Sequence, residues 1–144
     1  MIYVEKCTEA KNVNDQIRDM EIAINDAKKN SDDAAMLFEF LKRFWFLNDE
    51  FLEDSVCALR FGLELPNRYD FNEVFSARLD RFSVVPCYDG LQIIDVDHRT
   101  RLTIYPDIVN IVHGVVEEDE SCVMGQFEFD IGNIRVEMNV IHFF

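Results

Sequence analysis

Apolar residues in the first half of the chain recur at helical spacing, and those in the second half alternate with polar ones. The most apolar stretch is 31–47, SDDAAMLFEFLKRFWFL, where only Glu39, Lys42 and Arg43 are charged beyond the first turn. At 100° per residue these three, continued by Asp32 and Glu50, fall on one narrow stripe, so the pattern predicts a helix buried on its other sides. Ser31 stands where an N-cap belongs, and Asp32 and Asp33 oppose the helix dipole. Upstream, over 9–29, Val13, Ile17, Met20, Ile24 and Ala27 recur at steps of four and three, which predicts a helix with one apolar seam. Asn30 and Ser31 leave room for a tight link, so the two helices are expected as an antiparallel hairpin. Ile2, Tyr3 and Val4 ahead of them read as a short strand or a tether.

Beyond Asn48 and Asp49, Phe51, Leu52, Val56 and Leu59 resume helical spacing as far as Gly62, a natural terminator, and Pro66 enforces a break. Asp70 and Glu73 then form a capping box, followed by Phe71, Val74, Phe75, Leu79 and Phe82 on one helical face. From Ser83 the period becomes two, with strands expected at 91–96, 101–105, 108–116, 122–131 and 134–143. Links this short demand antiparallel neighbours. In the last two strands Val123, Gly125, Phe127, Phe129 and Ile131 alternate, as do Ile134, Val136, Met138 and Val140, so one face packs inward. The opposite face carries Gln126, Glu128, Asp130, Arg135, Glu137 and Asn139 and is open to solvent or a partner. The fold class expected is α+β: one domain over 1–144, with a helical N-terminal half of about four helices (1–82) packed on a C-terminal antiparallel sheet of about five strands (83–144).

Length and composition support a self-sufficient core. A chain of 144 residues buries roughly 68% of its extended-chain surface, and 49% hydrophobic content argues against disorder. The formal net charge of −14 repels nucleic acid and anionic membrane, so neither is an expected partner. Residues 1–82 hold 17 acids and 11 bases, while 83–144 hold 11 acids and only Arg99, Arg101 and Arg135. Cys7, Cys57, Cys87 and Cys122 form no CxxC pair and follow no signal-peptide pattern, which points to the reducing cytoplasm. The apolar run at 31–47 is too short and interrupted to span a bilayer.

Three constellations bear on chemistry. Asp95, Asp97 and His98 supply oxygen and nitrogen donors of the kind a metal-dependent hydrolase uses, although Asp-x-Asp before a turn also arises because Asp bonds its own backbone there. Cys87 or Cys122 with His98 or His113 as base would make a thiol nucleophile if the fold brought them together, but cysteine more often behaves as a small buried hydrophobe. No Gly-rich phosphate loop, GxSxG elbow or HExxH occurs, so no cofactor is expected. The third constellation is acidic: Asp49, Glu50, Glu53 and Asp54 in one run, Glu117, Glu118, Asp119 and Glu120 in another, and Glu128, Asp130 and Glu137 on the open face of the last hairpin. Solubility and helix dipoles account for part of this. Self-repulsion at −14 destabilises a compact chain, so the surplus points to a use.

Carboxylates of one strand face repeat every ~6.7 Å and can engage several arginines or lysines at once. The expected function is an acidic intracellular protein-binding inhibitor, an immunity protein neutralising a basic toxin or nuclease. A phage-encoded anti-defence protein that mimics nucleic acid is the sibling expectation. A small-ligand-binding module and a metal-dependent hydrolase using Asp95, Asp97 and His98 are the alternatives.

Overall fold

A computed structural model describes residues 3–4, 12–45, 53–63, 72–87, 90–97, 99–106, 110–131 and 134–144. Two helices lead into a body of strands. Helix α1 (Val13–Asn30) starts at Asn12, whose side chain accepts from the Asp15 N–H, and ends with Lys28 and Lys29 at its negative pole. Ser31 serves both helices: its N–H caps the Ala27 carbonyl of α1, and its hydroxyl accepts the Ala34 N–H at the start of α2 (Asp32–Lys42). One residue thus makes the tight hairpin that the sequence implies. Asp32, Glu39, Lys42 and Arg43 form the exposed stripe of α2, while Ala34, Leu37, Phe38, Phe40 and Leu41 are buried. In α1 the seam is shifted from the one expected. Met20, Ile24 and Ala27 are buried, but Val13 and Ile17 are 42% and 40% exposed, and Gln16, Asp19 and Ala23 take the inner positions. Gln16 faces inward because its side-chain oxygen accepts the Trp45 indole N–H.

The third and fourth helices expected from spacing are strands. Strands β1 (Tyr3–Val4), β2 (Ser55–Leu63), β3 (Asn72–Asp80), β4 (Ser83–Cys87), β5 (Gly90–Ile94), β6 (Arg101–Ile104), β7 (Asn110–Glu118), β8 (Cys122–Ile131) and β9 (Ile134–Phe143) form two antiparallel sheets, in the orders β1-β6-β5-β4 and β3-β2-β9-β8-β7. The helical N-terminal half on a single five-stranded sheet is therefore corrected: among the described residues the protein is mostly sheet, with two helices. Strand β2 wins over helix because it is the ladder partner of β9, in register from Ser55↔His142 to Leu63↔Ile134. Cys57 and Leu59 of β2 are buried at period two, whereas the helical reading required Phe75 in the core, and it is 60% exposed. Val56 and Leu59, three apart, would share one helical face but take opposite faces of β2, Leu59 in the core and Val56 outward, so the deciding contact is a strand about 80 residues away that no local window displays. Strand β4, ahead of the first strand expected, was not anticipated either. The expected strands at 122–131 and 134–143 match β8 and β9, and Val123, Phe127, Phe129, Val136, Met138 and Val140 point into the core.

The helical pair lies between the sheets. Helix α1 packs on α2, β4 and β5, and α2 packs on β7. The aromatic centre is continuous: the Phe40 ring lies 5.4 Å from Phe44 and 5.5 Å from Phe127, and Phe44 lies 4.8 Å from Phe82. Such pairs add ~0.5–1.5 kcal/mol each beyond their area. Helix α2 stops at Lys42, short of the expected Leu47, because the chain turns through Arg43 and Phe44 and joins β4. The Val84 N–H donates to the Phe44 carbonyl at 2.9 Å, beside a parallel bridge from Trp45 to Val84. With its inner face against α2, the five-stranded sheet turns its other face outward.

Candidate protein-binding surface

Register fixes what the outer face displays. Its side chains line up in rows across the five strands. One row reads Glu117, Met124, Ile141, Val56, Asp80, from β7 to β3. The next reads Val115, Gln126, Asn139, Ala58, Arg78, and the third His113, Glu128, Glu137, Arg60, Ser76. Glu128 and Glu137 stand directly opposite each other, a like-charge cross-strand pair of the destabilising kind.

Acids far apart in sequence gather at one end of this sheet. Glu53 and Asp54 lead into β2, Glu117 and Glu118 end β7, and Asp119 and Glu120 form the turn to β8. The end of β9 holds the two groups together: the Phe143 N–H donates to the Asp54 carbonyl at 3.0 Å and the Phe144 N–H to the Ser121 carbonyl at 2.9 Å. Asp49 and Glu50 lie outside the described residues. Glu128, Asp130 and Glu137 are on the same sheet but further along, since Glu128 is six residue steps along β8 from Cys122, about 20 Å.

These carboxylates are not equivalent. Glu118 turns toward the helices and pairs with Arg43 at 3.1 Å. Asp119 accepts from the Ser121 hydroxyl and N–H, both at 2.7 Å, and from the Cys122 N–H at 2.9 Å. The Ser121 hydroxyl first, then the two backbone N–H groups, hold its carboxyl below the usual carboxylate range. Asp130 is held by Arg135 at 3.0 Å and Glu137 by Arg60 at 3.2 Å, while Glu53 lies 3.9 Å from Arg81. Among the described residues, Glu117, Glu120 and Glu128 have no ion-pair partner. An open depression of about 380 Å³ beside the cluster is lined by Glu53, Asp54, Ser55, Val56, Asp80 and Arg81. Four of its six lining residues are charged, and it opens to solvent.

No family model, curated protein or solved structure matches this chain. The side chains themselves therefore say what chemistry the surface supports. Asp95 is occupied as a turn residue, accepting the Arg99 N–H at 3.0 Å and the Thr100 N–H at 3.2 Å. Asp97 is exposed, and His98 lies outside the described residues. Among the described residues no three His, Cys, Asp or Glu side chains come together as a metal site. Nor does register bring Cys122 to His113: Cys122 faces Phe143, whereas His113 faces Glu128, about 20 Å along β8. Burial pushes the Cys57 thiol up to about 12, away from nucleophilic use. No disulfide joins Cys57, Cys87 or Cys122, and among the described residues no helix is long and apolar enough to cross a membrane.

Met124, Ile141 and Val56 escaped the sequence reading of this face. The signal for two of them was present, since Met124 shares the parity of Gln126 and Glu128, and Ile141 that of Glu137 and Asn139. Val56 was hidden by its helical assignment.

Proposed function

We propose that this protein is an acidic protein-binding inhibitor that acts in the cytoplasm on a basic toxin or nuclease, in the manner of an immunity protein. The observation supporting this is the convergence of Glu53, Asp54, Glu117 and Glu120 from two distant segments at one end of an open sheet, with Glu117 and Glu120 unpaired among the described residues. Glu117 stands on a paired strand and Glu53, Asp54 and Glu120 in the turns that border paired strands, so their negative charge is concentrated at one place on the surface, which favours fast, steered association with a basic cleft. Paired acids such as Asp130 and Glu137 contribute less, because their arginines already neutralise them.

The test is affinity capture from a lysate of the source, washed at about 50 mM and then about 500 mM salt, with mass spectrometry of each eluate. A basic nuclease or toxin released at the higher salt is the expected result. The same capture with the triple variant Glu117→Gln, Glu120→Gln, Glu128→Gln should lose that partner while melting within a few degrees of wild type. Retention by the triple variant, or no basic protein in either eluate, would overturn the reading. A nucleic-acid-guided effector subunit in place of a toxin would reassign the protein to the anti-defence role.

A further inference from the structure

We propose that the outer face of the five-stranded sheet docks a basic amphipathic helix of the partner, its apolar stripe on Met124, Ile141 and Val56 and its cationic flanks on the carboxylates to either side. This rests on the reading of the protein as a binder of a basic protein.

The row Glu117, Met124, Ile141, Val56, Asp80 is apolar on its three inner strands and carries an acid on each edge strand, Glu117 with no ion-pair partner among the described residues and Asp80 held by Arg78 at 2.8 Å. Met124, Ile141 and Val56 are only half-buried, and Phe143 beside them is 49% exposed. On one side of the row lie Glu53, Asp54 and Glu120 at the sheet end. On the other, beyond the amides of Gln126 and Asn139, lies Glu128, which has no ion-pair partner among the described residues and faces Glu137, itself held by Arg60. Five strands at about 4.8 Å spacing span ~19 Å, the length of about thirteen helical residues, so one short helix covers the row. Lysine and arginine side chains on its flanks reach the acids on both sides while their stems cover apolar surface.

Charge selects this occupant over others. A second copy of the chain would bring like charge to both rims at a net −14 per chain, and nucleic acid would be repelled. The depression that Val56 and Asp80 help to line at this end of the face has four charged residues among its six and opens to solvent.

The test uses the intact protein, isotope-labelled, with a synthetic leucine–lysine amphipathic helix of about fourteen residues as the probe. Amide shifts should concentrate at Val56, Met124 and Ile141. Met124→Ser should weaken the peptide roughly tenfold, as loss of a central apolar contact does, and Glu117→Gln with Glu128→Gln should flatten the salt dependence. The same peptide with glutamate in place of lysine should not bind. Equal binding of both peptides, shifts confined to other surfaces, or an unaffected Met124→Ser variant would overturn the proposal. The two readings fail separately. A basic protein captured equally by wild type and by Met124→Ser removes the docking face and leaves the inhibitor. Localised peptide binding with an empty capture removes the inhibitor and leaves the face.

Discussion

Asp119 accepts three hydrogen bonds within its own turn, and these hold its carboxyl below the ordinary value. A carboxylate depressed in the folded state contributes stability above its unfolded value of about 3.9, and that contribution is lost as pH falls through the lower folded value. Asp119→Ala should therefore be less stable than wild type at neutral pH, and the gap should close as both are taken below about pH 4. Urea midpoints measured from pH 6 to pH 2 check this, and a gap that stayed constant would deny Asp119 the turn role. Because Ser121 and Cys122 are two and three residues on, the turn was readable from spacing alone. The fate of Glu118 was not, since its partner Arg43 lies 75 positions away.

Within the elements, Gly125 shows how strands and helix were fitted to each other. A Cβ built there would meet the Phe40 ring at 2.6 and 2.7 Å and the Phe127 ring at 2.8 Å. The missing side chain is what lets α2 lie close on β8. Gly125→Ala should destabilise by ~1–3 kcal/mol through overpacking, less the ~0.5–1 kcal/mol that alanine gains over glycine in a strand, as read by urea unfolding. A neutral or stabilised variant would mean that Phe40 moves aside freely. At this scale legibility followed range. The β8–β9 hairpin showed in the alternation of Val123, Phe127 and Phe129, because two linking residues make its pairing local. Strands β2 and β3 did not show, because the apolar spacing at Val56 and Leu59 fits a helix until β9 is present to pair with it. The α1 seam slipped for a similar reason, as the Gln16 partner Trp45 is 29 positions distant.

At the scale of the whole molecule, the charge of −14 opposes folding and favours a basic partner, so salt acts on the two with opposite sign. Shortening the screening length from about 10 Å at 0.1 M to about 3 Å at 1 M should raise the urea midpoint of the free protein while weakening the proposed complex with a basic partner. A midpoint that fell with added sodium chloride would mean that attractive pairs such as Arg43–Glu118 outweigh repulsion. The acids were visible as runs in the sequence, but their convergence depended on sheet order, which composition does not encode. That order also has a temporal side. Strand β9 sits between β2 and β8, so when the chain is made from its N-terminus at about 5–20 residues per second, the β2 edge that β9 will cover waits for several seconds with its hydrogen-bonding groups unmet. The nascent protein passes through a stage with an open strand edge, in which early capture by another chain competes with completion.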